Sequence, residues 1–232
     1  MKPSILTAIL LLALAPRTWS GFDDGKAAYD RGDYATAYRE FRPLAEHGHP
    51  PAQRYLGIMY GLGHGVPQDY AGSTEWFRKA AEQGDAFARE ALGLAYEEGF
   101  GVAKDRAEAV KWYRRAAEQG SAWAQNKLGE MYAQGRGVLQ DFAEAIAWIR
   151  RAAEQGYAQA QMNLGQAYEA GIGVQQDYVQ AHMWYNLAAA QLPPGNEQDE
   201  AVRARDALAK KMTWAQIAEA QRRARKWKPK LP

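Results

Sequence analysis

Four Leu-Gly pairs, Leu56-Gly57, Leu92-Gly93, Leu128-Gly129 and Leu164-Gly165, stand 36 residues apart. A fixed step of that length marks stacked repeats rather than one enclosed core. The same step carries Tyr60, Tyr96, Tyr132 and Tyr168, then a Gly-x-Gly-Val opening at Gly63, Gly99, Gly135 and Gly171, then Asp69, Asp105, Asp141 and Asp177. It continues through Trp76, Trp112, Trp148 and Trp184 to the alanine pairs beginning at Ala80, Ala116, Ala152 and Ala188, and Gly84, Gly120 and Gly156 close three of the units.

Each unit reads as a helical hairpin. Ala52, Leu56 and Tyr60 step by four and make one apolar stripe on a first helix. A glycine inside that helix costs about 1 kcal/mol relative to alanine, so the recurrence of Gly57 and its copies predicts close helix contact. Gly63 and Gly65 end the helix and Val66 covers the turn. The second helix opens at the Asp, where Asp105 with Glu108, Asp141 with Glu144 and Asp177 with Gln180 have capping-box spacing. Ala109, Trp112, Tyr113 and Ala116 mark its buried face.

The boundaries that follow are an abbreviated repeat at 21–48, lacking the Gly-x-Gly-Val turn, and full repeats at 49–84, 85–120, 121–156 and 157–192. Leu192-Pro193-Pro194-Gly195 breaks the series. Arg78-Lys79, Arg114-Arg115 and Arg150-Arg151 read as solvated pairs, but their counterpart is Asn186-Leu187, which calls for a cover. Residues 196–232 are expected to supply one as a two-helix cap with a basic tail. Ala201, Ala204 and Leu208 face the array, and Thr213 with Gln216 opens a second helix through Ile217.

The first twenty residues read as a secretory signal peptide. Lys2 is followed by an apolar run from Ile5 to Ala15 and a polar end at Ser20, which predicts a mature chain from Gly21. That run would span roughly 17 Å as a helix, short of a bilayer core of ~30 Å; an uncleaved anchor is the alternative, with Arg17 at its flank. The expected compartment is periplasmic or secreted. Cysteine is absent, which excludes disulfides, thiolate metal sites and a cysteine nucleophile.

Leu-Gly-x-x-Tyr, Gly-x-Gly-Val, Asp and Trp-aromatic-x-x-Ala-Ala-Glu-Gln-Gly, in register over residues 22–192, resemble the Sel-one-like repeat family of tetratricopeptide-type helical solenoids. The resemblance implies an all-α, right-handed α-solenoid of antiparallel helix pairs with a concave surface, acting as a non-catalytic protein-interaction scaffold or adaptor. Exported relatives look like envelope signalling or assembly regulators. A cysteine-rich branch is associated with β-lactam binding and hydrolysis, and a cell-wall ligand binder or hydrolase of that kind is the alternative. This chain lacks that branch's cysteines, and neither Ser73 nor Ser121 has a Lys three residues on.

Chemistry is otherwise sparse, and no cofactor or metal is expected. His47 and His49 flank a turn as exposed residues, His64 lies in a helix-ending turn, and the Glu97-Glu98 pair reads as a solvated helix end. The candidate protein-binding face lies on the first helices, where Phe87, Glu90 and Leu94, with Trp123, Asn126 and Glu130 one repeat later, share one side. Phe87 and Trp123 would be aromatic anchors, the alternative being that they fill gaps between repeats; Glu90, Asn126 and Glu130 would supply polar selectivity. Residues 21–196 carry 17 basic and 22 acidic side chains, whereas 197–232 carry 10 and 5. Arg222, Arg223, Arg225 and Lys226 could therefore meet an anionic partner, including a membrane surface in a tethering reading, or simply suit a helix C-terminus. Export argues against nucleic acid, and the chain is expected to be a monomer with an unidentified protein partner.

Overall fold

The computed structural model describes residues 21–230. The expected signal peptide and its cleavage point lie outside the described residues. Twelve α-helices and no strand are found among those described, in two compact units, one up to Ala80 and one from Ala81 onward.

In the first unit, α1 (Phe22–Asp30) and α2 (Tyr34–Glu46) form the abbreviated hairpin, and α3 (Pro50–Leu62) and α4 (Tyr70–Glu82) belong to the first full repeat. The core joins Ala28, Ala37, Phe41, Ala45, Ala52, Leu56 and Met59, with Tyr29, Tyr55 and Tyr60 against it. His64 stacks on Tyr34 at 4.1 Å and meets the Tyr29 hydroxyl at 3.1 Å, so its turn is packed. His49 is not an exposed turn residue. It is buried at the start of α3, where its Nδ1 accepts from the Ala52 N–H and its ring meets Phe22; His47 remains exposed.

The second unit repeats the hairpin three times. Its helices are α5 (Ala86–Glu98), α6 (Arg106–Glu118), α7 (Ala122–Gln134), α8 (Phe142–Glu154), α9 (Ala158–Ala170) and α10 (Tyr178–Gln191). The helix-interior glycines are sockets. A Cβ at Gly93 would stand 2.3 Å from the Tyr113 ring, at Gly129 2.5 Å from Ile149, and at Gly165 2.6 Å from the Tyr185 ring. Gly57 does the same for Phe77 in the first unit, at 2.7 Å. The second glycine of the turn sits on the preceding second helix at Gly65, Gly137 and Gly173. Gly137, at φ +75°, would put a Cβ 2.4 Å from the Arg106 carbonyl oxygen, a place where only a left-handed backbone without a side chain fits.

The Asp caps form, but not as reciprocal boxes. Asp105, Asp141 and Asp177 carboxylates accept from the first-turn N–H groups. Their own N–H groups donate to the Tyr96, Tyr132 and Tyr168 carbonyls at 2.8–3.1 Å. The N3 side chain is thus released, and Glu144 instead accepts from the Trp148 indole at 2.8 Å.

The arginine pairs are not simply solvated. The second cation of each lies over the tryptophan three residues before it, Lys79 on Trp76, Arg115 on Trp112 and Arg151 on Trp148, at 4.2–4.4 Å. The first reaches forward one repeat in the second unit, Arg114 to the Tyr132 hydroxyl and Arg150 to Tyr168. In the last repeat Leu187 replaces the lid cation. It is buried among Ala220, Ala224 and Trp227 by the expected cap, α11 (Asn196–Ala209) and α12 (Trp214–Lys226). Ala201 and Leu208 are fully buried, and the Thr213–Gln216 capping box is complete.

Candidate functional site: the first-helix face of the second unit

Three successive first helices, α5, α7 and α9, carry the candidate face. On α5, Phe87 is 46% and Leu94 39% exposed, one face apart by seven residues with Glu90 between them. Glu90 is half-buried and accepts from the Ser121 hydroxyl at the start of α7. Burial raises its pKa above the usual carboxylate range, and the Ser121 bond only partly opposes this. No Lys or Arg among the described residues pairs with it.

The α7 residues divide. Trp123 is half-buried, edge-on to Tyr113 at 5.5 Å and packed against the core of its repeat, so it joins α7 to α6. Asn126 is not an exposed selectivity residue. It is 4% exposed, donates to Glu130 at 2.8 Å and accepts from Asn163 of α9 at 2.9 Å. Asn126 thus meets the following repeat at Asn163, the position that Lys127 holds one repeat earlier. Glu130 stays half-exposed, with a second, longer contact from Asn163 at 3.4 Å. The Tyr157 phenol, at the start of α9, has its pKa raised by burial first and then by the charges of Glu130, Glu197 and Glu90.

Behind it lies an arrangement that sequence reasoning took for a solvated helix end. Glu97 is 1% exposed. Its carboxylate accepts from the Tyr113 hydroxyl at 2.9 Å and meets Lys127 at 3.4 Å and Arg136 at 3.2 Å, both from the next repeat. Burial first, then the Glu97 charge and hydrogen bond, push the Tyr113 phenol far up. The last repeat has the same tie: Tyr185 donates to Glu169 at 2.9 Å, and Lys211 from the cap pairs with Glu169 at 3.0 Å. A signal for it exists in the sequence. Glu97 and Glu169 occur where the second helix carries tyrosine, whereas Gly61 and Ala133 occur where it carries Phe77 and Ile149. These two ties fix geometry.

The basic C-terminal cluster is half spent. Arg222 and Arg223 pair with Glu219, and Lys230 pairs with Glu154 at 3.0 Å, which draws Trp227 against Trp184. Arg225 and Lys226 remain exposed. Among the described residues no three His, Asp or Glu side chains gather as metal ligands, and no helix is long and apolar enough to cross a membrane.

The model of the Sel1 repeat matches residues 50–85, 86–121, 124–157 and 158–191. Among solved structures, c5321, a protective antigen present in uropathogenic Escherichia coli strains and displaying an SLR fold, is 34% identical with a TM-score of 0.78. The match covers 89% of this chain and 44% of that one, so this chain spans less than half of that relative's length. A Sel1 repeat protein from Oxalobacter formigenes is 33% identical with a TM-score of 0.72, over 84% of this chain and 86% of that one. No curated protein matches the chain. Sel1 repeat proteins are generally protein-interaction scaffolds and typically non-catalytic. With four repeat matches laid over helix pairs whose glycine sockets and Asp caps recur in step, this chain belongs to the Sel1 repeat family.

Proposed function

We propose that the protein is an exported, non-catalytic scaffold that holds a protein partner on the first-helix face of its second unit, with a role in envelope signalling or assembly. The observation that carries the reading is on α5: Phe87 and Leu94 are large, apolar and exposed, and they flank a half-buried Glu90 without a cation. Large exposed apolar side chains gathered on one face are the composition of a protein interface centre. The basic start, apolar run and small residue at Ser20 support export.

Capture from a native envelope fraction tests this, with the mature chain and a Phe87→Ala, Leu94→Ala double variant as baits. The two side chains are exposed enough for melting to hold within a few degrees, and capture of the specific partner should fall at least tenfold. Equal capture by both baits would overturn the assignment of this face. Intact mass of the exported protein should correspond to a chain starting at Gly21.

A further inference from the structure

We propose that the cleft between α7, α8 and α9 receives an aromatic side chain from a segment of another protein, whose neighbouring Lys or Arg pairs with Glu130. The proposal rests on the reading of the first-helix face as a protein-binding surface and names the chemistry of what is bound.

The repeats supply the comparison. In the second full repeat the place is closed by the protein's own groups, Tyr113 over Gly93 with Glu97, Lys127 and Arg136 around its hydroxyl. One 36-residue step later the same four positions are Ile149, Ala133, Asn163 and Ile172. A phenol, a carboxylate and two cations are thereby replaced by shorter or apolar groups. What remains is a cleft of about 380 Å³ floored by Ala133, Ile146 and Ile149. Its walls include Phe142 and Ile172, which are 42% and 47% exposed. The next repeat is closed again, by Tyr185, Glu169 and Lys211. Neither the repeat before it nor the one after it in the second unit leaves this place open.

The rim decides the charge of the occupant. Glu130 lines the cleft, and both of its hydrogen bonds, from Asn126 and Asn163, fall on Oε1. A carboxylate has about four acceptor positions over two oxygens, so Oε2 is available to a cation, and no Lys or Arg among the described residues takes it. A single carboxylate beside an apolar floor that holds no Lys or Arg favours an aromatic residue next to a basic one and disfavours an aromatic next to an acidic one.

The test is a methyl NMR titration of the full chain with acetyl-Phe-Arg-amide, acetyl-Phe-Glu-amide and acetyl-Ala-Arg-amide. The Ile149 and Ile172 methyls should shift saturably with the first, while Ile58 and Ile217 stay still, and the other two should bind at least threefold more weakly. Glu130→Gln should lower affinity for acetyl-Phe-Arg-amide about threefold, the size of an exposed charge pair, and leave acetyl-Phe-Glu-amide unchanged or tighter. Filling the cleft by Ala133→Gln with Ile149→Tyr restores the ring and a neutral partner for its hydroxyl without burying a charge, so melting should be kept while the Ile172 shifts vanish. Equal binding of the Arg and Glu peptides, absence of saturable shifts, or shifts that survive the filled cleft in a variant of unchanged melting would each overturn the proposal. The titration needs no captured partner. If the Phe87 and Leu94 face captures its partner while the peptides fail, the cleft assignment falls alone; if capture is indifferent to that face, the wider reading falls irrespective of the peptides.

Discussion

At Glu97 a carboxylate with almost no exposure is held by a phenol and two cations, and the energetic risk is asymmetric. Removing a cation from such a group leaves undercompensated charge inside the protein, at a cost of up to about 3–5 kcal/mol, so Arg136→Ala should lower urea-unfolding stability towards that amount. Glu97→Gln with Tyr113→Phe should lose much less. Sequence alone hid this residue for a physical reason. Burial of Glu97 comes from Lys127 and Arg136 in the following repeat, and a single helix read by itself shows only a charged C-terminal turn. The aromatic sockets, by contrast, were legible, because a glycine at a helix interior has a cost that only close packing offsets. Gly93→Ala should cost about 1–3 kcal/mol by overpacking, since Tyr113 Cε1 has no room for a Cβ at 2.3 Å. Histidines give the pH dependence. Burial holds His182 and His49 below the ordinary value of 6.5, with Arg205 adding to the effect at His182. The unfolded chain then binds protons more readily than the folded one, so their contribution is complete above about pH 6.5 and is lost as the pH falls through the lowered folded values. Glu90 acts oppositely: its raised pKa favours the fold below the usual carboxylate range, and that advantage is lost as pH rises through the folded value. Glu90→Gln should therefore raise the melting temperature at pH 7 and leave it nearly unchanged at pH 4.

Helix ends are where the periodic pattern and the coordinates agree most closely. Asp105, Asp141 and Asp177 cap their helices as their spacing implies, yet the reciprocal half of the box is absent because tyrosine carbonyls already hold the Asp N–H groups. Side-chain spacing cannot reveal that competition, since it depends on the path of the turn. Hidden for a related reason are Gln125 and Gln161, buried in first helices, which donate to the Ala117 and Ala153 carbonyls at 3.0 and 3.2 Å. They satisfy the free carbonyls at the end of the preceding second helix, and Gln155 and Gln191 then reach back to them at 2.8 and 3.1 Å. Asp141→Ala should cost about 1 kcal/mol, the usual worth of an N-cap, with the loss of amide protection concentrated in the first turn of α8 by hydrogen exchange.

Across the molecule, what the repeats cannot supply for themselves is an end. The last repeat exchanges its lid cation for Leu187 and relies on α12 to cover it. Deleting residues 196–232 should expose Leu187, Ala188 and Tyr185 and leave Glu169 without Lys211. Lower melting temperature and concentration-dependent association by light scattering are the expected outcomes. Compartment and partner belong to another kind of information: the proposed export rests on residues ahead of the array, and the proposed partner contact on exposed side chains such as Phe87 and Leu94. The ties between neighbours also bear on how such an array can change length. A 36-residue copy looks like an interchangeable module, but the two cations on Glu97 come from the copy that follows it. Excising residues 121–156 would bring up Asn163 and Ile172 in place of Lys127 and Arg136, stranding a buried carboxylate at the new junction. At this seam the unit that can be removed intact is therefore a junction rather than a repeat, and losing the copy there calls for compensating changes on either side.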